Sequence, residues 1–167
     1  MAAIVIADAS PLTRASAISG LSWLEQLFTE VMFTEVVLAE VVLAEVLTGR
    51  YPATEAPIRQ ALAAGWLKTV AIPTTDQALP DLDEGEASSI RLALSCNGPA
   101  LLLIDERSGR AVAQDLGLRV AGTAAVIGLA RQRSLIPSAR QVFAALHASD
   151  FRIAPAVIKA VLDRCGD

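Results

Sequence analysis

The sequence has few of the residues that build zinc sites and nucleophilic triads. Its 167 residues include two cysteines and one histidine. Cys96 and Cys165 have neither the close spacing nor the neighbouring histidines of a metal site, which predicts two free thiols in a reducing compartment. His147 alone cannot form a zinc site, and any histidine-dependent triad would require this residue. Zinc chemistry and histidine-assisted catalysis are therefore disfavoured.

The chain also lacks a long uncharged apolar run, although hydrophobic residues make up 53% of it. The apolar segment 31–47 contains Glu35, Glu40 and Glu45, and carboxylates inside a bilayer are costly. No basic region precedes the N-terminal apolar run, which is therefore a poor signal peptide. These features predict a cytoplasmic globular protein without a membrane partner. The net charge of −4 disfavours a broad basic surface for nucleic acid but is compatible with a nuclease whose site is acidic.

Two apolar runs with the character of buried strands each end in an aspartate. The run Ile4-Val5-Ile6-Ala7 precedes Asp8, and the run Leu101-Leu102-Leu103-Ile104 precedes Asp105. Ligands of open α/β sheets bind at the carboxyl ends of the strands, so both carboxylates are expected at one such edge. Because neighbouring carboxylates repel each other, a divalent metal ion is the expected compensation.

Strand and helix patterns alternate along the chain. Strands are predicted at about residues 2–7, 30–34, 66–72, 100–104 and 118–121, and helices at about 10–28, 35–47, 57–64, 86–96, 106–116, 123–134, 138–148 and 155–164. In the first helix, Ser10 is the predicted N-cap, Pro11 is the first helical residue and Gly20 weakens the middle. Gly49 is the predicted C-cap of the second helix, and turns or loops are expected at 51–54 and 73–80. The alternation predicts one α/β domain over residues 1–167 with a parallel, doubly wound sheet.

A tandem five-residue repetition covers residues 28–46, in the letters FTEV-MFTEV-VLAEV-VLAEV. Five residues advance a helix by about 500°, so Glu35, Glu40 and Glu45 point in different directions and at most two can share a site. A local duplication that lengthens one helix is the simplest account, and an artefact in the sequence is the alternative.

Candidate carboxylates lie in four places along the chain: Asp8, Glu40 or Glu45, Glu86 and Asp105. Mg²⁺ and Mn²⁺ favour carboxylate and water oxygens, and such a site can activate water for displacement at phosphorus. A purely local role is the alternative for each residue. Asp8 and Ser10 could satisfy backbone donors of a turn, and Glu86 or Asp105 could complement a helix dipole.

Seven segments of the chain form a pattern in their order and spacing: Val5-Ile6-Ala7-Asp8-Ala9-Ser10-Pro11-Leu12, residues 21–31, the Ala-Glu-Val-Leu helix before Gly49, Gly65-Trp66-Leu67, Leu82-Asp83-Glu84-Gly85-Glu86-Ala87, Leu102-Leu103-Ile104-Asp105-Glu106-Arg107 and residues 117–123. Together they resemble the PIN-domain family, in the branch related to VapC-type toxins. The resemblance implies a three-layer α/β/α sandwich around a parallel sheet of four to five strands. It also implies metal-dependent endonucleolytic cleavage of RNA.

The resemblance also implies roles for particular residues. Asp8, Glu40, Glu86 and Asp105 would hold Mg²⁺ or Mn²⁺ and serve as the catalytic set. Counting forward from strand 30–34 places the family glutamate at Glu40, whereas counting back from Leu47-Thr48-Gly49 places it at Glu45. The count from the strand is favoured, and with it Glu40, because the distance of the glutamate from the sheet edge decides whether it reaches the metal. The supporting residues would be Ser10, which orients a metal-bound water, Glu106 as an outer ligand and Thr123 beside the pocket.

Expected partners follow from the same resemblance: RNA, a small antitoxin protein that covers the acidic site, and a second copy of the chain in a homodimer. Arg14, Arg107 and Arg110 either contact phosphates or are ordinary surface arginines, and Asp81, Asp83 and Glu84 are expected to form a solvated turn. The alternative function is a catalytically impaired module that binds RNA or protein. A phosphatase with Asp8 as nucleophile is disfavoured, because Ser10 stands where such enzymes need a second aspartate.

Overall fold

The computed structural model describes residues 4–48, 55–72, 78–79, 81–149 and 151–167. The elements in these residues are β1 (Ile4–Ala7), α1 (Ala9–Ala17), α2 (Leu21–Phe28), β2 (Val31–Thr34), α3 (Glu35–Thr48), α4 (Glu55–Ala64), β3 (Leu67–Val70), α5 (Glu84–Ser95), β4 (Ala100–Leu103), α6 (Arg107–Asp115), β5 (Arg119–Ala121), α7 (Thr123–Gln132), α8 (Ala139–Ala148) and α9 (Pro155–Cys165). The predicted caps and turns at Gly49 and 51–54, and most of the loop 73–80, lie outside the described residues. In the described part of the chain, no helix combines the length and apolar character that crossing a membrane requires.

The five strands form one parallel sheet in the order β3-β2-β1-β4-β5. The chain builds outward from β1 through β2 to β3 and then returns to the other side of β1 with β4. The strand order therefore reverses between β1 and β4, and ligands of open α/β sheets bind at such a switch point. The Asp8 N–H donates to the Leu103 carbonyl at 2.9 Å, so the ends of these two strands are adjacent.

Alternating strand residues fill two hydrophobic layers, because successive side chains of a strand point to opposite faces. Val5 and Ala7 of β1 pack in the layer with α1, α2, α3, α4 and α7. Ile6 of the same strand packs in the layer with α5 and α6. This arrangement confirms the predicted three-layer α/β/α sandwich. A third cluster joins α7 to α8 and α9 beside the sandwich.

The prediction of one continuous helix from Ser10 to Phe28 is wrong. The segment forms two helices, α1 and α2, and Asp8 rather than Ser10 is the N-cap of α1. The chain turns after α1, where Ser19 has φ 57° and the Gly20 N–H donates to the Ala15 carbonyl at 2.6 Å. A Cβ at Gly20 would lie 2.8 Å from the Trp23 ring, so the glycine permits the tight approach of α2.

Candidate active site

Asp8 is a buried carboxylate at the switch point of the sheet. It follows β1 directly, is 4% exposed, and makes no side-chain capping hydrogen bond to α1. Its Oδ1 atom is buried and has no hydrogen-bond partner among the described residues. Burial raises the pKa of Asp8 from 3.8 to about 7; the Ala9 backbone N–H opposes this, and the charges of Glu40, Asp83 and Glu86 add to it. The surroundings of Asp8 therefore compensate the negative charge of its ionised carboxylate only in part.

Glu86 lies on the first turn of α5 and takes part in the cap of that helix. Its N–H donates to Asp83 Oδ1 at 2.8 Å, and its Oε2 accepts from the Asp83 N–H at 3.4 Å, which together form a capping box. The second oxygen, Oε1, is buried without a partner among the described residues. Burial raises the pKa of Glu86, as do the charges of Asp83 and Glu106, whereas the Asp83 N–H lowers it.

Glu40 approaches the same cluster from α3. Its Oε1 accepts a hydrogen bond of 3.0 Å from the Gly85 N–H, at the start of α5. A Cβ at position 85 would lie 2.6 Å from the Glu40 Cδ atom, so the absence of a side chain there permits the approach. Burial and the charge of Asp83 raise the pKa of Glu40. Of the two glutamates considered for this role, Glu40 is therefore at the acidic site, and the Glu45 side chain lies outside the described residues.

A pair of buried hydroxyls holds the beginnings of α3 and α5 together. Thr34 Oγ1 and Ser88 Oγ are 2.7 Å apart, and Thr34 Oγ1 also accepts from the Val37 N–H at 3.1 Å. The Ser88 hydroxyl donates to the Gly85 carbonyl at 2.9 Å. Because buried hydroxyls are stable only when bonded, these contacts determine how α3 sits against α5.

Asp105 lies at the same edge but has different partners. Its Oδ1 accepts from the Thr123 N–H at 2.7 Å, and its Oδ2 accepts from Thr123 Oγ1 at 2.8 Å. Arg14 Nη1 forms an ion pair with Oδ2 at 3.0 Å. The structure therefore brings Asp8, Glu40 and Glu86 together, and it directs the carboxylate of Asp105 to Thr123 and Arg14.

The remaining predicted residues surround these groups. Ser10 is half-buried in the first turn of α1, two residues after Asp8. Glu106 is the exposed N-cap residue of α6, and Arg107, the first residue of that helix, is also exposed. Arg110 donates from Nη1 to the Ile104 carbonyl at 3.0 Å, so its guanidinium supports the end of β4.

Asp83 is the member of the acidic cluster that the sequence interpretation missed. Asp83 is exposed, as predicted for a solvated turn, and it also caps α5. Its charge raises the pKa values of Asp8, Glu40 and Glu86. The Asp83-x-x-Glu86 spacing is the sequence signal of a capping box and could have indicated this role.

The carboxylates at this edge offer a divalent cation a small set of ligands. Within the described ranges, no three or more His, Cys, Asp or Glu side chains form a group that could hold a metal ion. Mg²⁺ is commonly bound through one or two carboxylates, with water and substrate phosphate filling the other positions. Asp8 and Glu86, each with one buried oxygen that has no hydrogen-bond partner among the residues described, fit that smaller requirement.

The fold and this edge define an α/β/α protein with an acidic site at the switch point between β1 and β4. A family model, DUF3368, described as a PIN domain, matches residues 4–167. The chain belongs to the PIN-domain family. This is a nuclease-type fold whose members are generally metal-dependent nucleases that use divalent ions.

The chain is also similar to a solved structure, a PilT N-terminus domain protein, SSO1118, from the hyperthermophilic archaeon Sulfolobus solfataricus P2. The two are 15% identical, with a TM-score of 0.52, and the match covers 74% of this chain and 89% of the other. At this identity the likeness shows the shared fold. No curated protein matches the chain.

Proposed function

We propose that this protein is a metal-dependent endoribonuclease whose divalent ion is held by Asp8 and Glu86, with Glu40 beside them. One observation carries the proposal: two carboxylates, each 4% exposed, have a buried oxygen without a hydrogen-bond partner among the described residues. Leaving buried polar groups unsatisfied is costly, and a bound cation would offset that cost.

Mg²⁺ or Mn²⁺ at this position would polarise a phosphodiester and lower the pKa of an attacking water. Asp8 and Glu86 would hold the ion at the switch point between β1 and β4. The Gly85 N–H holds the Glu40 carboxylate at the same edge of the sheet. Ser10, in the first turn of α1, is proposed to position the water.

The decisive experiment uses the full chain with a fluorescently labelled single-stranded RNA. We expect cleavage in MgCl₂ or MnCl₂ and none in excess EDTA, with activity restored when the metal is added back. Asp8→Asn should reduce the cleavage rate at least 100-fold, because removing a metal ligand removes transition-state charge stabilisation. Asp115→Asn, an exposed substitution of the same kind at the end of α6, should leave the rate within a factor of two. Cleavage that persists in EDTA, or equal activity of the two variants, would refute the proposal.

The toxin of a toxin–antitoxin pair is the proposed biological role, with a small antitoxin covering the acidic edge and a homodimer as the assembly. Membership of the PIN-domain family supports a nuclease, and the likeness to VapC-type motifs supports the toxin role. Inducible expression should arrest bacterial growth, and Asp8→Asn should not. Growth arrest by both forms would argue against RNA cleavage as its cause.

A catalytically impaired module that binds RNA or protein is the second candidate. It is favoured by the lack, within the described residues, of a group of three or more carboxylates arranged for a metal. This candidate predicts RNA binding without turnover at saturating Mn²⁺. Turnover by the wild type that is lost in Asp8→Asn would eliminate it.

A further inference from the structure

The charged residues are unevenly divided between the sandwich and the three helices beside it. Residues 1–122 contain eight Lys and Arg against fifteen Asp and Glu, which gives a net charge of −7. Residues 123–167, which include α7, α8 and α9, contain six against three, which gives a net charge of +3. Such an asymmetry within one chain is typical of a protein whose basic part contacts nucleic acid. The overall charge of −4 is therefore the sum of an acidic part and a basic part.

Four arginines of the basic part lie where ends of these three helices meet. We call them the arginine cluster: Arg131, Arg133, Arg140 and Arg164. Asp167 connects two of them, because its Oδ1 accepts from Arg131 Nε at 3.3 Å and its Oδ2 accepts from the Arg140 backbone N–H at 2.8 Å. The Gln132 side chain donates to the Arg164 carbonyl at 3.4 Å, which holds the end of α9 against the end of α7.

Two members of the arginine cluster have guanidinium groups that are available to a ligand. Arg133 and Arg164 are exposed, and within the described residues neither side chain makes a hydrogen bond or an ion pair. Lys68 and Lys159, in contrast, form ion pairs with carboxylates at 2.8 and 2.6 Å. A guanidinium presents a planar fork of donors that matches the oxygens of a phosphate. The free arginines therefore fit a phosphate backbone.

A groove between α7 and α9 leads from near the acidic edge to the arginine cluster. It has a volume of about 210 Å³, and Arg164 lines it from α9. Its α7 side runs from Ala125 to Gln132, over about 10 Å at 1.5 Å per residue. Ala125 lies two residues after Thr123, whose N–H donates to Asp105 at the acidic edge. A strand that enters the acidic edge can thus continue along α7 to the free guanidinium groups.

We propose that this groove and the arginine cluster at its end bind the phosphate backbone of the RNA on one side of the bond that is cleaved. The proposal rests on the proposed function and adds the surface that holds its substrate. Phosphate contacts of this kind fix the position of a strand and carry no sequence information. Arg133 and Arg164 are then substrate-binding residues outside the acidic edge.

The test measures the binding of a fluorescently labelled single-stranded RNA to the full chain by anisotropy, in excess EDTA so that the RNA stays intact. The informative variant is Arg133→Gln/Arg164→Gln, and Arg133→Lys/Arg164→Lys retains both charges. Lys68→Glu is the matched control, because it changes the net charge by the same two units on β3, at the other edge of the sheet from β5.

The expected effect is a change in the salt dependence of binding. Each phosphate contact to a single strand contributes about 0.7 to the slope of log K against log salt, so the double glutamine variant should lose about 1.4. Its Kd relative to the wild type should then be about 25 times larger at 50 mM KCl than at 500 mM. The double lysine variant should keep the wild-type slope, and Lys68→Glu should bind within a factor of about two, because a distant exposed charge is screened.

Cleavage in MnCl₂ gives a second readout. The double glutamine variant should raise KM and leave kcat unchanged, because contacts to a distant phosphate are the same in the bound substrate and in the transition state. RNA binding that requires both arginines, without any cleavage by the wild type, would support this surface and refute the nuclease.

Four outcomes would overturn the proposal. Equal salt slopes for the wild type and the double glutamine variant would do so, and the nuclease proposal would stand if the RNA is still cleaved. An equal loss of slope in Lys68→Glu would show that binding follows net charge alone. Polyglutamate that displaces the RNA at the same concentration of charges would assign the surface to an acidic protein. No RNA binding by the wild type would refute this proposal and the nuclease together.

Discussion

Replacing Asp8 by asparagine should stabilise the metal-free protein while it abolishes the proposed activity. The folded state raises the pKa of Asp8 from 3.8 to about 7, chiefly through burial, so it binds this proton more tightly than the unfolded chain does. Below about pH 3 the carboxyl is protonated in both states and contributes nothing. As the pH rises from about 3 to 7, the unfolded chain ionises first and stability is lost; above 7 the loss is nearly complete.

The magnitude follows from the size of this pKa displacement. Each pKa unit corresponds to about 1.4 kcal/mol, so the rise from 3.8 to about 7 amounts to an upper limit of about 4 kcal/mol. Asparagine has nearly the same volume and carries no charge, and it also removes the repulsion between position 8 and Glu40, Asp83 and Glu86. We expect Asp8→Asn to be more stable than the wild type by about 2 to 4 kcal/mol at pH 8, and by less than about 1 kcal/mol at pH 4.

Urea denaturation followed by circular dichroism, in EDTA at pH 4, 6 and 8, measures this difference. Asp115→Asn serves as the control, because its side chain is exposed and its effect should be small at every pH. Saturating Mn²⁺ should reduce the difference at pH 8, since an ion at 100 times its Kd stabilises the wild type by about 2.7 kcal/mol. A variant that is less stable than the wild type at pH 8 in EDTA, or a difference that does not grow with pH, would refute the reasoning.

Three further predictions concern the surroundings of the cluster. Gly85→Ala should weaken Mn²⁺ binding at least tenfold in calorimetry, because the new Cβ would displace the Glu40 carboxylate. Gly98→Ala is the control: a Cβ there meets nothing within 4 Å, so this variant should bind Mn²⁺ as the wild type does. Thr34→Val should lower the free energy of unfolding by about 1 to 3 kcal/mol in urea, because it removes the buried hydrogen bond to Ser88 and the oxygen that accepts from the Val37 N–H. An unchanged midpoint would contradict this. Removing metal with EDTA should lower the melting temperature of the wild type by several degrees at pH 8, and a melting temperature that is insensitive to metal would contradict the site.

Much of the fold could be predicted from the sequence because its signals are local. The apolar run before Asp8 and the run before Asp105 indicate buried strands, and the alternation of strands with helices predicts a parallel sheet. The break between α1 and α2 could not be predicted in the same way. Gly20 is compatible with a weakened helix, and the close packing of Trp23 against it becomes apparent in three dimensions.

The candidate site shows the same division between local signals and long-range contacts. Asp8, Glu40 and Glu86 could be proposed from their places at strand ends and on helices. Because of the repetition in residues 28–46, Glu45 remained an alternative to the favoured Glu40: counting from the strand before the helix gives one glutamate and counting back from Gly49 gives the other. The approach of α3 to α5 places Glu40 against the Gly85 N–H, a contact between residues 45 positions apart.

The sequence by itself determined the order of strands and helices, and it placed an aspartate at the end of β1 and another just beyond β4. These properties depend on periodicity and on neighbours along the chain. The tertiary structure decided which carboxylate oxygens have no hydrogen-bond partner among the described residues. It also decided the pKa of Asp8, which depends on burial and on charges from α3 and α5. It also decided that Asp105 faces Arg14 and Thr123, because the ion pair requires α1 and the start of α7 to meet at one edge of the sheet.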